Sequence, residues 1–275
     1  MTLPLPHIYK PLPDSVGGGL LYVWFPVMHT RADLVFYSPK PKAALMQTAY
    51  RIRGELERLE QIGNYYNPDS ELAIINRQAA IVPVSPSDEL YRIIAMCLKY
   101  HEKTQGYFDI TICSTHYTKD TIRDVVLCPD GRTIFFRRSG IHLNLSGFLK
   151  GYALERLRPL LQIDGIEHAL INLGNSSVMG IGNHPTGSGW KVYVSHCKKS
   201  VTLHNECLTI SGNDSATRRH IVNPTNGCFV TGMRQVAIVT PDGAIGEIYA
   251  TALFASEGEW QGATTIVNRQ LTIVN

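Results

Sequence analysis

The sequence predicts an α+β fold in which helices are layered against a sheet. Three observations support this. Short segments rich in Val and Ile ("HALINLG", "WKVYVSHC", "CLTISG" and "RQVAIVT") follow one another and read as strands. Longer segments with apolar residues at helical spacing stand before and after them. The 275 residues carry no internal repeat, low-complexity stretch or linker, so residues 1–275 are expected to form one domain.

Residues 1–20 read as an extended arm leading into the first strand. The apolar run "GGGLLYVWFPVM" is broken by glycines and Pro26, too short to span a membrane and unlike a signal peptide. No cysteine is placed for lipidation, so a cytoplasmic protein with no membrane span is expected. Residues 41–62 put Leu45, Ile52, Leu56 and Leu59 on one helical face. A second helix is expected in "SPSDELYRIIAMCLKYHEKTQG", capped by Ser85, with Pro86 in its first position, Asp88 completing a capping box and Gly106 as its stop. "FLKGYALERLRPLLQIDG" reads as a third helix with a kink or break at Pro159. "GEIYATALFASEG" reads as a last helix after the strands.

Composition narrows the function. An apolar fraction of 44% and a charged fraction of 18% mark a globular chain. The net charge is +3 with no Lys/Arg-rich run, so no nucleic-acid partner is expected, while a small anionic substrate fits. None of the six cysteines form a C-x-x-C pair or show zinc-ligand spacing, which suits reduced thiols.

Four polar stretches stand out. In "YYNPDSELAIIN" a turn precedes a short helix that Ser70 or Asp69 can cap, and Tyr66 offers a flat face to an aromatic ligand. In "LNLSGFLKGYALE", Gly147 and Gly151 flank Lys150 at a helix start, where backbone amides can approach a phosphate; a packed turn with a solvated lysine gives the same pattern. In "GEIYATALF", Glu247 and Thr251 share a helix face and could hold a hard cation such as Mg²⁺, or serve as ordinary capping and packing groups. "HIVNPTNG" has the Asn, Pro and Gly of a hairpin turn, but Arg218, Arg219 and His220 precede its apolar pair.

Together and in order, these stretches resemble the ApbE-type family, the FAD:protein FMN transferases. "VMHT" is similar to the family's Met-Gly-Thr, with His29 in place of Gly. "YNPDSELAIIN", "GYFDIT", "LNLSGFLKGYA", "LINLGNSSVMGIG", "HIVNPTNG" and "GEIYATALF" resemble six further blocks in the same order. The resemblance implies a mixed, largely antiparallel sheet with flanking helices, and a cleft that binds FAD with Mg²⁺. The implied reaction moves FMN from FAD onto a Thr or Ser of a target flavoprotein, the acceptor, and releases AMP.

By the same resemblance, Met28, Tyr66, Tyr107, Phe108, Asp109, Ser146, Tyr152 and Ile221 match flavin or nucleotide contacts. Glu247 and Thr251 match metal ligands, with Leu149 giving its backbone carbonyl, and His220 matches the site histidine. An imidazole has an unperturbed pKa of about 6.5, so His220 suits deprotonation of an acceptor hydroxyl, and Lys150 suits phosphate oxygens. Several positions depart from the pattern. Asn144 and Asn223 replace Asp, Glu247 replaces Asp, and Asn175 replaces Gly. A non-catalytic FAD-binding protein and an FAD hydrolase giving FMN and AMP are the alternatives. "EGEWQGATT" is also similar to the acceptor motif of flavinylated proteins, which would make Thr264 a site of self-modification.

Overall fold

The computed structural model describes residues 4–12, 18–195, 198–213, 215, 217, 219–260, 262 and 269–273. Arg218 and Thr264 lie outside them. Strands β1 (His7–Pro11), β2 (Gly19–Val27) and β3 (Thr30–Ser38) form an antiparallel meander, so the expected arm contributes a paired strand. Leu21, Val23 and Phe25 on β2, and Ala32, Leu34 and Phe36 on β3, are buried at every second position, as a one-sided pleated surface requires.

Helix α1 (Lys42–Gly63) buries Leu45, Ile52, Leu56 and Leu59, the face its periodicity predicts. Helix α2 (Glu71–Gln78) is capped by Ser70, whose Oγ accepts from the Ala73 amide (3.0 Å). Helix α3 (Asp88–Lys103) is capped by Ser87 rather than Ser85. Ser87 Oγ accepts from the Leu90 amide, and the Ser87 amide donates to Glu71 Oε2 (3.0 Å). The start of α3 is thus tied to α2 by a bond that local spacing does not contain. A hairpin of β4 (Val125–Cys128) and β5 (Thr133–Phe136) leads to α4 (Leu149–Ile163). That helix runs through Pro159 instead of breaking there. Pro159 faces solvent, while Ala153, Leu154, Leu157 and Leu161 are buried on either side of it; this packing outweighs the roughly 3 kcal/mol a helix-interior proline costs.

Strands β6 (Ala169–Leu173), β7 (Ser177–Ile181), β8 (Trp190–Val194), β9 (Lys199–Leu203), β10 (Glu206–Gly212), β11 (Val222–Asn223), β12 (Cys228–Phe229) and β13 (Gln235–Thr240) follow, then α5 (Gly243–Ala255) and β14 (Arg269–Ile273). Eight strands form one sheet in the order β1-β2-β3-β6-β7-β10-β13-β14. Its ladders are antiparallel, as the family resemblance implies.

Alternation along the central strands supplies both faces of the sheet. Met179 and Cys207 join the core shared with α1 and α4. Val236 and Ile238 join a core with α2, α3 and α5. Val178, Leu208, Ala237 and Val239 point the other way and are covered by Val194, Val201 and Leu203 of the β8–β9 hairpin. Among the described residues, no helix is long and apolar enough to cross a membrane.

Candidate active site

A cleft of about 1140 Å³ opens where the β2–β3 turn, the loop after α1, the start of α4, the β6–β7 turn and α5 converge. Its floor is polar. Lys150, second residue of α4, donates to Ser176 Oγ. Ser176 Oγ lies 3.5 Å from Ser177 Oγ, and Ser177 Oγ donates to Glu247 Oε1. A chain of side-chain contacts therefore links an ammonium group to a carboxylate. Glu247 is only 4% exposed. Burial pushes its carboxyl pKa up, while the Lys150 charge, the Ser177 hydrogen bond and the Gly151 amide pull it down.

Glu247 reaches this floor because α4 and α5 pack closely. A Cβ on Gly151 would collide with the Gly243 carbonyl and with Glu247 Cγ, so only glycine fits beneath the longer acidic side chain. Thr251 also lines the cleft, one turn along α5, as its spacing from Glu247 predicts. Its Oγ1 lies 3.4 Å from Ser211 Oγ and faces Gly147.

The cleft is also lined by Met28, Tyr66, Tyr107, Phe108, Asp109, Ser146, Leu149, His220 and Ile221, so the structure brings these sequence-predicted residues together with Lys150, Glu247 and Thr251. Tyr66 is 67% exposed at the mouth. His220 is exposed in the segment before β11.

Two positions depart from expectation. Tyr152 lies outside the cleft lining. Two residues after Lys150 it falls roughly 200° around the helix. Its hydroxyl donates to Glu89 Oε1 (3.0 Å) and its ring stacks on Phe148. Asp109 borders the cleft, but its carboxylate is consumed within the protein. Oδ1 accepts from the Thr111 amide (2.7 Å) and hydroxyl (2.6 Å), Oδ2 accepts from Tyr117 (2.9 Å), and the side chain is 1% exposed. It braces the wall that carries Tyr107 and Phe108.

Asn144 and Asn223 retain what an aspartate would do for the backbone. Asn144 Oδ1 accepts from the Ser146 amide (2.8 Å), and Asn223 Oδ1 accepts from the Thr225 amide (3.0 Å). Both are side-chain-closed turns for which either residue serves. Asn175 takes φ of 60°, a left-handed conformation that asparagine tolerates.

Among the described residues, no three His, Cys, Asp or Glu side chains cluster as a metal site. The candidate donors are instead one carboxylate, the Thr251 hydroxyl and a backbone carbonyl. This all-oxygen set suits a hard cation that shares its coordination with substrate phosphates and water. Sequence reasoning missed Glu60, Asn64, Ser176 and Ser177, whose roles arise from contacts between distant segments.

The sequence pattern of the ApbE family matches residues 28–272. The chain belongs to the ApbE family. Among named relatives, the "FAD:protein FMN transferase" of Chlamydia trachomatis is 25% identical over 82% of this chain and 82% of its own length. That of Escherichia coli is 19% identical over 81% of this chain and 74% of its own. The fold matches the apo form of Pseudomonas stutzeri flavinyl transferase ApbE with a TM-score of 0.77 at 16% identity, covering 92% of this chain and 94% of that one. It matches the flavin transferase ApbE of Vibrio cholerae with a TM-score of 0.71 at 16% identity, covering 98% and 97%. These ApbE structures share the fold of the present chain.

Proposed function

We propose that this ApbE chain transfers FMN from FAD to a Ser or Thr hydroxyl of a target flavoprotein and releases AMP, with Mg²⁺ bound. The observation that carries the reading is the cleft floor, where Lys150, buried Glu247 and Thr251 meet beneath an aromatic rim. The name shared by its ApbE relatives supports the same reaction.

In this reading Met28 and Tyr66 pack on the flavin rings, with Tyr107, Phe108 and Ile221 lining the same wall. The Lys150 ammonium and the backbone amides at the α4 start hold phosphate oxygens, with the Ser146 hydroxyl beside them. His220 takes the proton of the acceptor hydroxyl as that oxygen bonds to the phosphorus of the FMN half. The bond to the AMP half breaks, and AMP leaves. Glu247, Thr251 and the Leu149 carbonyl would hold the Mg²⁺, which supplies positive charge against the pyrophosphate.

The test is incubation with FAD and Mg²⁺, with and without a flavoprotein acceptor, followed by assays for AMP and covalent flavin. Acceptor-dependent AMP and covalent flavin are expected. AMP with free FMN in the absence of acceptor would make the chain an FAD hydrolase. Bound FAD without AMP would leave it a flavin-binding protein.

A further inference from the structure

The cleft rim contains a set of side chains that the transfer chemistry does not use. β2 turns into β3 through Met28 and His29, both in the left-handed region at φ of 52° and 55°. Such a two-residue turn favours glycine and asparagine, so a histidine there is held against its conformational preference. What holds it is contact. The Asn64 amide hydrogen-bonds His29 Nε2, with Nδ2 3.0 Å away, and the imidazole meets the Tyr66 ring edge-on, centroids 5.7 Å apart at 83°. Asn64 Oδ1 accepts from the Tyr66 amide (2.9 Å) and itself lies 3.3 Å from His29 Nε2, so both ends of the amide meet the histidine. One turn earlier on α1, Glu60 Oε2 accepts from the Met28 amide (2.9 Å).

These contacts close a bracket around the two residues proposed to receive the flavin. Met28 is tied through Glu60, and Tyr66 through Asn64 and His29. An exposed tyrosine with free rotamers would have to be ordered by the ligand; one already held does not impose that cost on binding. We infer that His29 and Asn64 are positioning residues that set Tyr66, beside the Met28 backbone that Glu60 holds, in its flavin-binding arrangement before substrate arrives. This rests on the FAD reading above.

The experiment uses the whole chain as His29→Gly and as His29→Asn, since both replacements accept a positive φ and neither carries the ring. Melting temperature, FAD affinity by fluorescence titration, and the steady-state constants are measured. Lost contacts and relieved backbone offset each other, so the melting temperature should stay within about 3 °C of the parent. FAD should bind more weakly by about three- to tenfold, with the loss in KM for FAD and not in kcat. Parent-like FAD affinity in both variants overturns the proposal. So does a melting-temperature fall of more than about 8 °C with kcat falling alongside, since the residue would then be merely structural. A parent chain that takes up no FAD removes the functional reading itself and this inference with it.

Discussion

Ser177 Oγ donates a hydrogen bond to the buried carboxylate of Glu247, joining β7 to α5 across 70 positions of chain. The bond aims a carboxylate whose burial disfavours its charged form. Glu247→Ala is expected to lower Mg²⁺-dependent AMP release by about 100-fold or more. Ser177→Ala should lower it by about tenfold, in proportion to an orienting partner. Parent rates in Glu247→Ala would overturn the proposed role of Glu247 as a cation ligand.

Asp109 is expected to act through the fold. Asp109→Ala leaves the Thr111 and Tyr117 donors unpaired and should cost about 3 kcal/mol in urea unfolding. Tyr117→Phe, which removes one donor and keeps the ring, should cost about 1 kcal/mol. A fully stable Asp109→Ala variant with lost FAD binding would return Asp109 to the ligand.

Tyr152 gives the opposite test. Because its hydroxyl is committed to Glu89 outside the cleft, Tyr152→Phe should leave FAD affinity within about twofold of the parent. Stability should fall by about 1 kcal/mol. A large affinity loss at unchanged stability would place Tyr152 against the ligand after all.

Glu89 provides a pH signature. Burial works against its carboxylate, but hydrogen bonds from Arg58 and Tyr152 outweigh that and hold its pKa below the ordinary value. A depressed carboxyl pKa contributes stability above the unfolded value of about 4.3, and the contribution is lost as pH falls through the folded value. Arg58 is 41% exposed, so solvent screening weakens the pair. Glu89→Gln should therefore be less stable by only about 1 kcal/mol at neutral pH, with the gap closing below about pH 4. Urea titrations at the two pH values check this, and an equal gap at both rules it out.

Much of the frame was legible because it is locally encoded. Apolar spacing announces α1, the Ser70 cap announces α2, and four-residue spacing puts Glu247 and Thr251 on one face. The departures have physical causes. Ser87 caps α3 because Glu71 holds its amide. Pro159 is overridden by burial on both sides. Tyr152 follows Lys150 in a motif but not around the helix. Asn64, Ser176 and Ser177 carry no local signature, since each matters only for what a distant segment places beside it.

The antiparallel sheet has a kinetic consequence. β3 pairs with β6 and β7 with β10, and side-chain hydrogen bonds join Asn76 with Leu143, Ser177 with Glu247, and Tyr107 with Glu259, separations of 67, 70 and 152 residues. Such high contact order makes assembly slow, because chain entropy is spent before distant pairings repay it. The cleft lining runs from Met28 to Thr251, so no short fragment contains the whole cleft. During refolding, competence to capture flavin should therefore appear with the last phase, after helical signal has recovered, so that ligand uptake reports completion of the entire topology.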